Sequence, residues 1–370
     1  MIKHTIALAL TGVFLAPTMQ QEQAYLAILA ETKVGRAVGA PAISLADLKD
    51  LPPGFKLPPE AMMFAGIPTR VLNVRLWSPS IAPANATASV APPSGLKQGN
   101  KLDLELYRPE AGATGTTEKD KDFDPDSISD FTIKIYWGSS ETVKDGQPKI
   151  LKWADFTPSQ KEAMRQQSRE AKRVNSYFYK PNWTTGYWPT KSQQGNIDEK
   201  ASLVGRYALT STYTGNVEIE APSNVDFLAP IEVSSPNLEK KLDLKKSINL
   251  AWKEIPNALG LYGSVFAMEG KNTMIIWSSS ETFVDGMLDN MGFLQMAEVR
   301  DYVSKTVFME GNRTKVSIPA GIFQNVDFAM YNMSGYGPGA ALEKAQPLPR
   351  IQTKTSLMIM LGGKKMPDMR

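Results

Sequence analysis

Two glutamates, Glu141 and Glu281, each follow a pair of serines at matching points of a twelve-residue motif that occurs twice. A pair of carboxylates about 5–10 Å apart supplies the acid and base of a glycoside hydrolase, so these two are the first candidates for chemistry. The competing reading is local. A Ser-Ser-Glu-Thr run leaving a strand satisfies backbone groups of the following turn with its own side chains. Residues kept by repetition usually preserve a fold, and the local reading is preferred. A serine nucleophile needs a base, yet the chain has no cysteine, and its one histidine, His4, lies in a removable leader. Lysine is then the remaining base, and no Ser-x-x-Lys stands at a strand-to-helix junction. No catalytic residue is assigned.

Two further segments carry chemistry-bearing side chains. Asp120, Asp122, Asp124 and Asp126 alternate as calcium ligands do, but the positions that should hold Gly and Glu hold Pro125 and Phe131 in one register, Ser127 and Ile133 in the other. A solvated acidic loop is the preferred reading, and no metal or other cofactor is expected. From Tyr177 to Trp188, six of twelve residues are aromatic. Such a segment is costly to leave in water unless it packs or binds something. As a sugar platform it would use Tyr179, Lys180, Asn182, Trp183, Tyr187 and Trp188; as a staple it would pack between modules, and the staple is preferred.

The elements that must position these residues follow from the repeat. Ile135 to Gly146 matches Ile275 to Gly286 at a constant offset of 140, with eight of twelve positions identical, among them Trp137/Trp277, Ser139/Ser279 and Ser140/Ser280. Alternating stretches precede each copy, 102–107 and 248–252, as half-buried strands do. A helix is expected after each copy. In the first, Thr157-Pro-Ser-Gln160 is a capping signal and the helix runs to about Arg173; the second spans Leu294 to Val307. Further strands are expected at 207–213, 217–219, 314–318 and 351–361. The fold expected is mainly β: two tandem β-sandwich modules, 97–235 and 236–362, each with one inserted helix and related by internal duplication. Residues 21–96, rich in Ala and Pro, read as an extended arm with one strand at 69–77, and 363–370 as a tail.

Within the second module, Asn249-Leu-Ala-Trp252 followed by Pro256-Asn-Ala258-Leu-Gly260-Leu-Tyr262 is similar to fibronectin-III-like domains, where a strand Trp precedes a Pro-x-Ala-x-Gly-x-Tyr turn. Trp277-Ser-Ser-Ser-Glu281 and Gly335-Tyr-Gly-Pro338 resemble elements of uncharacterised secreted bacterial proteins with fibronectin-III or immunoglobulin-like modules. The resemblance covers 247–361 and implies a sandwich fold and an envelope location, without an activity. In the first copy Tyr107-Arg-Pro-Glu stands where the second has Trp252.

The N-terminus points the same way. Met1-Ile-Lys-His4 followed by apolar Thr5 to Ala16 reads as a signal peptide over 1–20, too short for the roughly 20 apolar residues of a spanning helix. An uncleaved anchor is the alternative. The mature chain is therefore expected to be secreted or periplasmic, with no transmembrane segment. With 41 basic and 38 acidic residues its charge gives no reason to expect nucleic acid. The function expected is that of a non-catalytic binding or structural protein whose partner is envelope glycan or another envelope protein; the alternative is a carboxylate-dependent glycoside hydrolase or polysaccharide-binding protein.

Overall fold

Alternating apolar and polar residues become strands, and the longest fully apolar runs become the strands buried on both faces. The computed structural model describes residues 23–43, 63–108, 131–162, 183–284 and 292–363. In chain order the strands are β1 (Tyr25–Ala37), β2 (Thr69–Ser78), β3 (Ala88–Ala91), β4 (Leu102–Asp103), β5 (Glu105–Tyr107), β6 (Thr132–Trp137) and β7 (Lys149–Lys152). There follow β8 (Thr184–Trp188), β9 (Gly205–Ser211), β10 (Val217–Ala221), β11 (Val233–Ser235), β12 (Ile248–Trp252), β13 (Gly260–Glu269) and β14 (Thr273–Ser278). After the helix α1 (Met296–Ser304) come β15 (Met309–Glu310), β16 (Lys315–Ile318), β17 (Phe328–Tyr336), β18 (Ala340–Ala341) and β19 (Leu348–Gly362).

The protein is mainly β, and its described residues form three sheets. One has twelve strands, ordered β5-β8-β2-β1-β19-β17-β13-β14-β6-β7, with β15 added at β13 and β18 at β19. The others are β10-β9-β3-β4 and β11-β12-β16. Even-numbered residues of β1 and β2, such as Leu26, Ile28, Leu72 and Val74, pack with Val90, Tyr207, Leu209 and Ile219 of the four-stranded sheet. Leu261, Val265, Trp277, Tyr331 and Ile359 pack with Leu250, Trp252, Val316 and Ile318 of the three-stranded sheet. Ile351 in the first cluster and Leu357 in the second alternate in step along β19, so both small sheets cover the same face of the large one. Burying each large aliphatic side chain contributes about 1.5–3 kcal/mol, which makes these two layers the main source of stability.

The large sheet runs through both halves of the sequence because β1 and β19 pair in parallel from Tyr25↔Leu348 to Ala37↔Met360. Residues 21–96, expected to be an arm with one strand, supply β1, β2 and β3. The first strand lacks the alternation that marks half-buried strands because it is covered on both faces: Ala27 and Leu29 pack with Trp77 and Trp183 opposite the main core.

The two motif strands are neighbours. Strands β6 and β14 pair in parallel with Tyr136 opposite Trp277 and Trp137 opposite Ser278. This register is one residue off the 140-residue repeat, so Trp137 and Trp277 point to opposite faces. Trp277 is fully buried in the main core, whereas Trp137 is half-buried against Phe283, ring centroids 4.9 Å apart. The strands preceding the motifs differ too: β13 and β14 form a hairpin, but β5 pairs with β8 and leaves β6 to its neighbour in the second half.

Helical signals are realised at their caps. Thr157 Oγ1 accepts from Gln160 N at 3.3 Å and Thr157 N donates to Gln160 Oε1 at 2.9 Å, opening a helix over 158–162; its expected continuation to Arg173 lies outside the described residues. Gln295 N donates to Glu298 Oε2 at 2.6 Å at the start of α1. That helix stops at Ser304, short of the expected Val307, because Thr306 takes a left-handed φ of 55°. Gly260 is required beneath it: a Cβ there would lie 2.8 Å from Val303 and 2.9 Å from Val299.

Candidate functional site

The turns after the two motif strands gather the hydroxyls and carboxylates singled out by sequence. Ser279 N donates to Gly263 O at 2.8 Å, and Ser279 Oγ accepts from Gly263 N at 2.9 Å. In the first copy the bonds are divided between the two serines: Ser140 N donates to Ser317 O at 3.1 Å, while Ser139 Oγ accepts from Ser317 N at 3.0 Å. The second motif thereby prolongs the β13–β14 ladder past Ser278, whereas the first leaves the large sheet and bonds to the edge strand β16 of the three-stranded sheet. The second serines do the same work in both turns, as Ser140 Oγ and Ser280 Oγ each accept from the backbone N of the threonine two residues on, at 3.3 Å.

The carboxylates diverge. Glu281 accepts from Ser139 N at 3.0 Å and from Lys144 Nζ at 2.6 Å, tying the second turn to the first. Glu141 accepts from Asn249 Nδ2 at 2.9 Å. Trp277 Nε1 donates to Gly138 O at 3.1 Å, a further tie between the copies. Gly138, where the second copy has Ser278, has a φ of 93°, and a Cβ there would meet Lys144 Nζ at 2.5 Å.

Glu141 borders a groove of about 310 Å³ on the outer face of the three-stranded sheet, lined also by Ser139, Ser235, Asn249, Arg313, Lys315 and Ser317. Glu281 does not line it. Alternation explains the lining: Ile248, Leu250, Val316 and Ile318 face the core, so Asn249, Lys315 and Ser317 face out. Arg313 Nε donates to Lys315 O at 3.0 Å, and among the described residues neither cation has an acidic partner within salt-bridge distance. Sequence reasoning missed these basic residues. The outward alternation around Val316 was the available signal, but their meeting with Glu141 depends on pairing across more than a hundred residues.

The aromatic segment is used internally where it is described. Trp188 is 1% exposed within the first core and donates from Nε1 to Gln193 Oε1 at 3.0 Å. Trp183 is 7% exposed against Tyr25, Ala27, Leu29 and Trp77. Their ring faces are therefore taken by protein, which a sugar platform would need open. Tyr187 is half-buried beside Arg75, and burial together with a hydrogen bond to Glu105 pushes its hydroxyl up to about 12. Tyr179, Lys180 and Asn182 lie outside the described residues, as do Asp120, Asp122, Asp124 and Asp126. Among the described residues no group of three or more His, Asp or Glu side chains could hold a metal ion.

A second polar cluster went unseen in the sequence. Glu31 on β1 and Lys354 on β19 are buried on the face opposite the small sheets, 3.3 Å apart, and Ser356 Oγ donates to Glu31 Oε1 at 2.7 Å. Lys33 Nζ also reaches Glu31 at 3.3 Å from a half-exposed side chain. Burial holds the Lys354 ammonium below the usual lysine range, and the Glu31 charge works against that shift. No protein-family model matches the chain, and no curated protein matches it at a significant level. Among the described residues no helix is long and apolar enough to cross a membrane.

Proposed function

We propose that this chain is a non-catalytic binding or structural protein of the cell envelope, secreted or periplasmic, built on sandwich modules of the fibronectin-III or immunoglobulin type. One observation carries the non-catalytic part. The serines of both motifs are engaged with backbone groups, and Glu281 joins one turn to the other. A carboxylate held by a backbone N–H and a lysine fastens structure, and a hydrolase would need it aimed at a substrate beside its partner.

The module type is supported by the strand order of the second half. Lettered from β11, its strands pair as A-B-E in the small sheet and as C′-C-F-G, β14-β13-β17-β19, in the large one, with Trp252 buried at the end of the B strand. This is the three-plus-four division of fibronectin-III-like sandwiches, prolonged at its edges by β1 and β6. Duplication is supported by the eight shared motif positions and by the matching bonds of Ser140 and Ser280 to the threonine two residues on. The envelope location rests on the basic start and apolar run of the N-terminus.

Incubation of the purified protein with cell-wall and capsular polysaccharides, followed by assay of new reducing ends, tests the reading. No turnover above the blank is expected. Turnover that disappears in the Glu141→Gln, Glu281→Gln double variant would overturn it.

A further inference from the structure

We propose that the groove bordered by Glu141, Asn249, Arg313 and Lys315 binds an anionic saccharide of the uronic-acid class, a carboxylated sugar with neighbouring hydroxyls. The inference rests on the binding-protein reading above and names the ligand. The groove, about 310 Å³, is of a size to take a short saccharide and lies at the low end of ligand pockets. Its donors and acceptors select the class. Arg313 and Lys315 are exposed and lack an acidic partner within salt-bridge distance among the described residues, so the site offers two cations that no described residue pairs with. Arg313 uses Nε on Lys315 O, which leaves the rest of its guanidinium to bond a carboxylate.

The same groove holds a carboxylate. Glu141 is exposed and bonded to the Asn249 amide at 2.9 Å without a cation. A compact anion such as sulfate would gain from the two cations and lose to Glu141. A neutral sugar would satisfy Glu141 with hydroxyls and leave the cations unused. A uronate does both: its carboxylate goes to Arg313 and Lys315, while its ring hydroxyls donate to Glu141 and to Asn249 Oδ1, whose amide nitrogen already faces Glu141. Ser139 Oγ accepts from Ser317 N and retains its own proton, giving one further donor toward a ring oxygen.

Calorimetric titration of the full chain at low ionic strength, with a short oligogalacturonide as probe, tests the proposal. Its methyl ester has the same rings without the charge, and sodium sulfate has the charge without the hydroxyls. The acid is expected to bind roughly tenfold or more tightly than the ester, and its affinity should fall as salt is added. Arg313→Gln with Lys315→Gln should abolish the preference for acid over ester, and Glu141→Gln should weaken the ester, with a smaller loss for the acid because the same change removes a like charge. Equal binding of acid and ester, an unchanged preference in the doubly neutralised variant, or sulfate binding as tightly as the acid would overturn the assignment. If a variant fails to fold, as judged by its thermal transition, the acid-to-ester ratio on the parent chain decides alone. Release of reducing ends during titration would overturn the non-catalytic reading and leave the groove standing, whereas absence of both binding and cleavage would overturn the groove assignment and leave that reading intact.

Discussion

Replacing Glu31 with glutamine probes the buried charge at the junction of β1 and β19. The Lys354 and Glu31 side chains are 11% and 8% exposed and 3.3 Å apart. At that separation and an effective dielectric of about 20 the attraction is about 5 kcal/mol. Desolvation of the two ions offsets most of it, so the pair as a whole adds little over an apolar pair of the same shape. Breaking it is different. Glu31→Gln removes the carboxylate charge from beside the buried Lys354 ammonium, which keeps the Phe293 ring at 5.1 Å, and should cost about 3–5 kcal/mol at pH 7. Lys33, half-exposed, also faces Glu31, and its like charge adds to the downward shift of Lys354. The double variant Glu31→Gln, Lys354→Met should recover most of the loss. The pH dependence follows from the sign of the shift. Burial depresses the folded lysine below its ordinary value of 10.5, so the unfolded chain binds more protons in the window between the depressed value and 10.5. Stability linked to Lys354 is therefore present above 10.5 and lost as pH falls through the depressed value. Without Glu31 the depression deepens, so the deficit of Glu31→Gln should shrink as pH rises from 7 toward 10.5. Urea unfolding followed by tryptophan fluorescence at several pH values measures this. A deficit below about 1 kcal/mol at pH 7, or a double variant no better than the worse single, would refute the reasoning.

Two other substitutions test the cores. Trp188→Ala should lower stability by about 3–5 kcal/mol in urea unfolding, since it empties the first core and leaves Gln193 without its indole partner. Tyr331→Phe should be neutral or raise stability by up to about 1 kcal/mol, because the Tyr331 hydroxyl is fully buried with no hydrogen-bond partner among the described residues and its ionisation is pushed upward by burial alone. A loss above 1 kcal/mol would mean that the hydroxyl is bonded.

Strands with one wet face could be read from sequence. Ile248 to Trp252 and Val217 to Ile219 alternate because one side meets water, and both are strands in the structure. Strand β1 could not be read in this way, since Tyr25–Ala37 is covered on both faces and carries no period of two. The cap at Thr157 was legible because its bonds are made within three residues, whereas the Gln295–Glu298 cap of α1 was not read from the sequence. The partners of the motif strands were not, as the pairing of β6 with β14 spans about 140 positions and shifts the register by one. For the same reason Glu141 was visible as a candidate while Arg313 and Lys315, brought beside it by β16, were not.

The parallel pairing of β1 with β19 has a consequence for how the chain is made. The first described strand lies beside the last, so β1 has one edge on β2 and keeps the other open until residues 348–362 have emerged. Loop closure over more than three hundred residues is entropically costly and slow, and an unpaired edge invites association with other chains while it waits. A chain ending before Leu348 would therefore lack the strand that joins the halves and expose both broken edges. Cutting between β10 and β11 would leave each half short of its neighbour at the sheet's centre. Strands β1 and β19 act as a clasp, and synthesis of β19 closes it.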